Sequence, residues 1–164
     1  MKDQFIKAIT VDLRTSKIAG MVLDEKREDL IRVLGEPELE YMDKLLYPTK
    51  GIAVDLIKDR LAVIYLWVDR QSLHEPFPGG GAEQFNPCNA TVISLEGKSI
   101  DVTEGITQPE VESVMGKPYI IGPDKNGSFG MDYFGETKTD DINIPLFLRF
   151  DFSPSGFIGV WITF

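Results

Sequence analysis

The stretch "VLGEP" at residues 33–37 recurs as "VMGKP" at residues 114–118. In both copies a glycine follows an apolar helical pattern, and a proline stands two residues after that glycine. A glycine that ends a helix at positive φ, followed by a proline that keeps the helix from resuming, is a typical helix stop. The repeat therefore predicts two short helices, which end at Gly35 and Gly116.

The residues before each stop favour the same two helices. Apolar residues recur there with the i, i+3, i+4 spacing of one helical stripe: Leu30, Val33 and Leu34 in the first copy, and Val111, Val114 and Met115 in the second. Thr107 and Glu110 form a capping-box pattern at the start of the second helix, and we expect Asp24 to cap the first.

The similarity extends beyond the helices. Residues 8–18 and 90–100 both alternate apolar and polar residues around a turn, which predicts two hairpins. Residues 51–56 align with 128–133, which matches Asp55 with Asp132, and further strands are predicted at 61–68, 145–152 and 156–164. We therefore predict an α+β fold that is a tandem repeat of two units, each a mostly antiparallel sheet with one short helix.

The predicted organisation has three parts. Residues 1–68 form the first repeat unit and residues 90–164 form the second. Residues 69–89 contain three prolines and three consecutive glycines, a composition typical of a linker or a long surface loop. A loop of this length without periodicity is often functional.

Composition excludes several classes of function. The net charge is −9, from 17 basic and 26 acidic residues, which argues against a nucleic-acid partner. The longest apolar run, residues 61–68, is too short to span a bilayer, and Asp3 and Gln4 stand where a signal peptide would begin its apolar stretch. We expect a cytoplasmic protein with no membrane partner.

The acidic charge is unevenly distributed. Residues 83–164 hold 5 basic and 12 acidic side chains, and the remaining residues hold 12 and 14. One interpretation is that the charge keeps the protein soluble. The other is that an acidic surface steers a basic partner towards the protein.

The inventory of reactive side chains is small. The single histidine, His74, and the single cysteine, Cys88, exclude a histidine-rich zinc site and a cysteine metal cluster. Both lie in residues 69–89 without a recognisable third catalytic partner, so we interpret them as incidental. Trp67 and Trp161 lie inside strong strand patterns and are interpreted as core. We expect no metal, no cofactor and no enzymatic activity.

Two acidic segments are candidates for binding a protein partner. Residues 36–43 follow the first helix stop, and residues 136–141 form an insertion that the first unit lacks. The candidate partner-binding residues are Glu36, Glu38, Glu40, Tyr41, Asp43, Glu136, Asp140 and Asp141. The alternative is that these charges protect exposed strand edges from aggregation.

A short helix ending in Leu-Gly-x-Pro, followed by antiparallel strands and written twice, resembles the repeats of the β-lactamase inhibitor protein and of small outer-membrane assembly lipoproteins. The hairpin before each helix, as in "ISLEGKSIDV" at 93–102, is more similar to small bacterial proteins encoded beside polymorphic toxins. The chain lacks the disulfide cysteines of the first group and the lipidated N-terminal cysteine of the second. The resemblance implies a protein inhibitor but carries no inhibitory residue across.

Two functional hypotheses follow. The first is a non-enzymatic protein–protein inhibitor, such as an immunity protein that neutralises a bacterial toxin, and its partner would be a basic protein domain. The second is a small-ligand-binding protein or enzyme with a concave sheet pocket and residues 69–89 as its lid.

Overall fold

The computed structural model describes residues 8–72, 77, 82–136 and 146–163. These residues form an α+β fold with two helices and mostly antiparallel sheets. The helices are α1, Arg27–Leu34, and α2, Gln108–Met115. The strands of the first half are β1 Ile9–Asp12, β2 Lys17–Ile18, β3 Leu39–Tyr41, β4 Lys44–Tyr47, β5 Ile52–Ile57 and β6 Arg60–Trp67. Those of the second half are β7 Ala90–Ile93, β8 Ser99–Val102, β9 Tyr119–Ile121, β10 Phe129–Phe134, β11 Phe147–Ser153 and β12 Gly156–Thr163.

The two helices begin differently. The predicted capping box of α2 is confirmed, since Thr107 and Glu110 exchange both side-chain-to-backbone hydrogen bonds. The predicted cap of α1 is wrong, because its N-cap is Lys26, whose side chain makes no capping bond. Neither helix, nor any other in the part of the chain that the structure describes, is long and apolar enough to cross a membrane.

The two helices end alike. Gly35 has φ 90° and Gly116 has φ 85°, so both lie at positive φ as the repeat predicted. Their ψ angles of 177° and −167° are extended, so neither glycine has the left-handed helical conformation that commonly ends a helix. Each glycine carbonyl accepts a tyrosine hydroxyl hydrogen bond, from Tyr47 Oη at 2.9 Å and from Tyr133 Oη at 3.0 Å.

The buried stripe of α1 also differs from its prediction. Leu30 and Leu34 are buried and Ile31 packs against the core, but Val33 is 47% exposed. Ile31, about one turn before Leu34 on the same side of the helix, therefore takes the place in the buried stripe that was predicted for Val33.

Both predicted hairpins are confirmed, and they meet in one four-stranded sheet. Its order is β2-β1-β7-β8, with β1 and β7 paired in parallel at the centre. The pairing of Ile9 with Ala90 and of Val11 with Val92 brings the start of the first half beside the start of the second.

The remaining eight strands form a single antiparallel sheet of order β3-β4-β5-β6-β12-β11-β10-β9. The strands of the two halves are therefore joined through β6 and β12 in one sheet, where we expected each unit to have its own. In this order β5 is the third strand of its meander and β10 is the second. Asp55 and Asp132, which the sequence aligned, consequently lie on strands at different positions of the sheet.

One face of the eight-stranded sheet packs on the main core. That core joins the sheet to both hairpins and both helices, for example through Val54 and Phe150 of the large sheet, Val11 of β1 and Leu30 of α1. The opposite face, called the open face below, carries a second and smaller apolar cluster. Because side chains alternate along each strand, every strand of this sheet contributes residues to both faces.

Candidate functional site: the open face of the large sheet

Four side chains form a row across the middle of the open face. Trp161 of β12 is paired with Tyr65 of β6 on one side and with Arg149 of β11 on the other. Arg149 is in turn paired with Asp132 of β10. Directly paired side chains of neighbouring antiparallel strands lie about 4.5–5.5 Å apart, so the four residues are in sequence across four strands. We call Tyr65, Trp161, Arg149 and Asp132 the central row.

An ion pair fixes one end of the central row. Arg149 Nε donates to Asp132 Oδ1 at 2.6 Å and Nη2 donates to Oδ2 at 2.8 Å. The Asp132 side chain is only 4% exposed, and that of Arg149 is 22% exposed. The hydrogen bonds to Asp132 raise the pKa of the Arg149 guanidinium above its ordinary value. A guanidinium held by two such bonds cannot rotate freely, so its plane is fixed relative to the sheet.

Two aromatic rings lie close to the guanidinium of Arg149. Its Cζ lies 4.9 Å from the centre of the Trp161 ring and 5.6 Å from that of Phe147. Both distances are within the range of cation–π attraction. The cation–π contact therefore restricts the movement of both the indole and the guanidinium. Trp161 is ordered in this way while it stays partly exposed.

Two glycines allow these side chains to lie across the sheet. A Cβ at Gly130 would come within 2.5 Å of Arg149 Cδ and within 2.6 Å of Nε. A Cβ at Gly159 would come within 2.5 Å of Trp67 Cε3. Any larger residue at Gly130 would displace the Arg149 side chain from the path by which it reaches Asp132.

The space beside the central row is a shallow groove of about 480 Å³. Its floor includes Tyr65, Trp161 and Arg149 of the central row, together with Trp67 and Ile158. Its wall is the turn between β9 and β10. Asp124 stabilises that turn, since its Oδ1 accepts the backbone N–H groups of Asn126 at 2.8 Å and Ser128 at 3.0 Å. Asp151 of β11 also lines the groove.

A second charged cluster lies on the other side of Tyr65. The Tyr65 hydroxyl donates to Asp55 Oδ2 at 3.1 Å, and Lys44 Nζ forms an ion pair with the same carboxylate. Lys44 Nζ also lies 5.4 Å from the centre of the Tyr65 ring. Contacts with Asp55 of β5 and Lys44 of β4 therefore fix the position of Tyr65, as the contact with Arg149 of β11 fixes that of Trp161.

Described parts of residues 69–89 cover the rest of this face. Phe77 and Phe85 pack on Leu46, Ala53 and Trp67, and the two phenyl ring centres are 5.8 Å apart. The Trp67 indole N–H donates to the Ser72 carbonyl at 3.1 Å. The open face is thus covered beside β4 and β5 and accessible at the central row.

Cys88 belongs to this covering segment and is buried. Its backbone N–H donates to the Trp67 carbonyl at 2.9 Å, and burial raises the pKa of its thiol to about 12. A protonated, buried thiol is a poor nucleophile. His74 lies outside the described residues.

The first predicted acidic segment lies at the β3 edge of the large sheet, five strand positions from β11. Glu38 accepts the Thr49 backbone N–H at 3.0 Å as well as its hydroxyl, and Glu40 forms an ion pair with Arg27 of α1. Tyr41 is 46% exposed and is paired with Lys44, which puts it on the open face. Glu36 and Asp43 are exposed.

The second predicted segment is described only in part. Glu136 is exposed, and its backbone binds the turn of the first hairpin, with its N–H donating to Leu13 O at 2.9 Å and its carbonyl accepting from Ser16 Oγ at 2.7 Å. Asp140 and Asp141 lie outside the described residues. Glu136 follows β10, six strand positions from β3, so this residue lies far from the first segment.

Sequence reasoning missed the central row. Trp161 was interpreted as core, but the structure puts it on the open face, where it is only partly buried. The available signal was Arg149, a charged residue inside the apolar strand "LFLRFDF", together with Asp132 inside "FGMDYF". A charge inside an apolar strand is buried only when an opposite charge is paired with it, so these two charges together indicated an ion pair between β10 and β11.

Among the described residues, no group of three or more histidine, cysteine, aspartate or glutamate side chains is arranged to hold a metal ion. The open face presents aromatic, guanidinium and carboxylate groups at the central row. In comparisons with known proteins, no protein-family model, no curated protein and no solved structure matches this chain.

Proposed function

We propose that this chain is a non-enzymatic protein–protein inhibitor, an immunity protein that neutralises a bacterial toxin, and that it binds its partner through the open face. The observation that carries the proposal is the central row, in which Tyr65, Trp161 and Arg149 stand side by side on an accessible sheet surface. Tyrosine, tryptophan and arginine are the residues that contribute most often to the energetic centres of protein interfaces.

The rigidity of the row favours the same function. Arg149 is held by Asp132 and Tyr65 by Asp55, so these long side chains lose little conformational freedom when a partner binds. A surface ordered in advance binds more tightly than a mobile one of equal area. Strands are also a firmer support for such residues than loops.

The acidic charge supports a basic partner. The net charge of −9 attracts a basic protein over a Debye length of about 8–10 Å and speeds the encounter. Glu38 and Glu40 already bind groups of their own chain, so we assign them a part in this long-range attraction rather than direct contacts.

We also propose that the two halves are a tandem duplication. The order of the large sheet reads the same from either edge when β3–β6 are matched with β9–β12. Tyr47 of β4 and Tyr133 of β10 then correspond, and each donates to the carbonyl of the glycine that ends the preceding helix.

The register at the junction agrees with this match. Tyr47 is paired with Ile52 and Tyr133 with Leu148, and these are paired in turn with Leu66 and Ile162. Leu66 thus corresponds to Ile162, and Tyr65 corresponds to Trp161. Across β6 and β12, Tyr65 and Trp161 are paired with each other. Exchanging the halves leaves this pairing unchanged, so the site would lie on the symmetry axis of the duplication.

The groove favours a second candidate function, the binding of a small ligand. Its volume of about 480 Å³ is within the usual range for such sites, about 300–1,000 Å³. The covering segment lies beside the groove on the same face, as a lid would.

Purification with the product of the neighbouring gene tests the inhibitor. We expect a stable complex, and we expect Trp161→Ala to weaken it about tenfold or more, as for an interface hot spot. Leu95→Ala is the matched control, because Leu95 is an exposed apolar residue (48%) in the turn of the second hairpin. Reversing Asp140 and Asp141 to lysine should slow association at low salt.

The result that contradicts the proposal is equally concrete. A complex that Trp161→Ala and Leu95→Ala weaken equally would not be formed through the open face. The absence of any complex, together with a small metabolite that co-purifies and is lost from Trp161→Ala, would favour the second candidate.

A further inference from the structure

The two edges of the eight-stranded sheet differ in their protection. Its edge strands are β3 and β9, and among the described residues each has a neighbouring strand on one side only. Glu38 and Glu40 lie at the β3 edge, and charged side chains on an edge discourage pairing with another chain. The sequence of β9 is Tyr119-Ile120-Ile121, which carries no charge. The β9 edge therefore lacks the charges that protect β3.

All three side chains of β9 are exposed. The exposed fraction is 69% for Tyr119, 48% for Ile120 and 45% for Ile121. Tyr119 is paired with Asp132 of the central row, so Tyr119 and Ile121 lie on the open face. Ile120 is paired with the buried Met131 and lies on the opposite face, yet nearly half of it is exposed. Apolar surface is thus exposed on both faces of this edge, as at sites where another chain adds a strand to a sheet.

The charge around β9 favours a second copy of this chain over a basic partner. Residues 113–123 contain no acidic residue and one basic residue, Lys117. Two copies, each with a net charge of −9, repel each other where their carboxylates meet, and this segment contributes no carboxylate to such a contact. A basic protein is attracted to the acidic parts of the surface instead.

The sequence of β9 is also complementary to itself. When two antiparallel copies of β9 meet with a two-fold axis at Ile120, this residue faces Ile120 of the second copy on one face of the sheet. On the open face, Tyr119 faces Ile121 of the second copy, and Ile121 faces Tyr119. Aromatic and β-branched residues that are paired in this way stabilise neighbouring strands. The same arrangement at β3 would put Glu40 opposite Glu40 of the second copy, and like charges directly opposite each other are destabilising.

We propose that this chain forms a symmetric dimer through β9, in which the two eight-stranded sheets join into one continuous antiparallel sheet. The inference does not depend on the proposed function. Because the two-fold axis is perpendicular to the sheet, both open faces lie on the same side of the dimer. Ile121 lines the groove beside the central row, so Tyr119 of the second copy extends the wall of that groove. Pro118 and Pro123 lack the N–H groups that further pairing would need, which keeps the contact short and the dimer weak.

Sedimentation velocity of the full chain, over a wide range of protein concentration at low and high salt, tests the proposal. We expect a monomer–dimer equilibrium with a dissociation constant in the micromolar range or weaker. High salt should strengthen the dimer because it screens the repulsion between two acidic chains, whereas it should weaken the attraction of a basic partner. A protein that stays monomeric at every concentration and at both salt levels would overturn the proposal.

Charged variants at the axis test the register. Ile120→Lys puts two like charges opposite each other and should weaken dimerisation about tenfold or more, and Ile120→Glu should do the same. An equimolar mixture of the two variants should restore the dimer, because a lysine then faces a glutamate across the axis. Ile57→Lys is the matched control, since it adds the same charge at a residue that is 60% exposed at the end of β5, away from β9.

The outcomes are decisive for the β9 contact. A dimer that Ile120→Lys and Ile57→Lys weaken equally would overturn the proposal, and so would an equimolar mixture of the two Ile120 variants that stays monomeric. If circular dichroism shows that Ile120→Lys does not fold, Tyr119→Lys mixed with Ile121→Glu takes its place, because these positions face each other in the dimer. The inhibitor proposal is tested separately, since a protein that stays monomeric can still bind its partner through the central row.

Discussion

Replacing Arg149 should destabilise the protein more than replacing Asp132, its partner in the ion pair. In Arg149→Met the Asp132 carboxylate, only 4% exposed, loses both of its bonds to the guanidinium and has little access to water. Removing one partner of a buried pair costs about 3–5 kcal/mol, and the 22% exposure of Arg149 favours the lower end. We expect the free energy of unfolding to fall by about 3 kcal/mol.

Asp132→Asn should be milder. The amide can still accept a hydrogen bond, and the partly exposed guanidinium can turn to water while it stays near Trp161. We expect a loss of about 1–2 kcal/mol, the usual cost of a charge-assisted hydrogen bond. The double variant leaves no buried charge, so its loss should be smaller than the sum of the single losses by about 1–2 kcal/mol.

The stability of the unaltered protein, the two single variants and the double variant can be measured by urea unfolding, followed by tryptophan fluorescence and by circular dichroism. If the m-values are equal, a change in Cm reports a change in the free energy of unfolding. Leu95→Ala, an exposed substitution, should change the free energy of unfolding by no more than about 0.5 kcal/mol. The reasoning is refuted if Asp132→Asn costs as much as Arg149→Met, or if the two losses simply add.

Three further predictions concern the helix ends and the covering segment. Tyr47→Phe and Tyr133→Phe each remove one hydrogen bond to a helix-ending carbonyl and should each cost about 1 kcal/mol in urea unfolding; clearly different costs would argue against equivalent halves. Gly116→Ala should cost about 1–3 kcal/mol from backbone strain alone, because φ is 85° and a Cβ would meet no atom within 4 Å; an unchanged Cm would contradict this. Since burial raises the pKa of Cys88 to about 12, the unfolded chain ionises first, so this group's contribution is complete below about pH 9 and is lost between about pH 9 and 12. Cys88→Ala should therefore lose less stability than the unaltered protein between pH 8 and pH 11, and an identical loss would contradict the assignment.

The local elements could be predicted because their signals are local. Both hairpins, both helix stops and the capping box of α2 depend on residues within a few positions of one another. The start of α1 was predicted wrongly because it depends on a contact between residues that are far apart in the sequence. Lys26 precedes the helix and forms a backbone bridge with Arg60, which is 34 residues away, so tertiary contacts fix this start without a capping side chain.

The assembly of the strands could not be predicted from such signals. The large sheet is joined by pairing β6 with β12, whose residues Tyr65 and Trp161 are 96 positions apart. Both strands are apolar on both faces, so the period-2 pattern fixes neither their register nor their partners. The same ambiguity explains why the sequence alignment matched Asp55 of β5 with Asp132 of β10, although these strands occupy different positions in the sheet.

The candidate site was hidden for a related reason. In β12, "GFIGVWIT", apolar residues point to both sides, so alternation alone cannot show that Trp161 lies on the accessible face. The acidic residues Glu38 and Glu40 were conspicuous in the sequence, but their bonds to Thr49 and Arg27 appear only in three dimensions. Acidic residues that are conspicuous in a sequence can therefore already be bound within their own chain.

The proposed duplication connects the fold to the site. A sheet whose halves are exchanged by symmetry has one central pair of strands, and side chains at that centre are supported from both sides. Tyr65 is held by Asp55 and Lys44 of the first half, and Trp161 is held by Arg149 and Asp132 of the second. The order of charges is opposite in the two halves, because β4 carries the basic residue in the first and β11 carries it in the second.

The two halves of the open face also differ in what covers them. In the first half the apolar Leu46 and Ala53 are covered by aromatic rings from residues 69–89, which removes them from contact with a partner. In the second half the corresponding positions hold an ion pair, which stays ordered without a cover because its charges satisfy each other. An uncovered face that is already ordered can bind a partner without first losing a segment of its own chain, and it loses little entropy when it does. Trp161 lies at the boundary between the covered and the open part of this face, so under the proposed function its loss should weaken partner binding most.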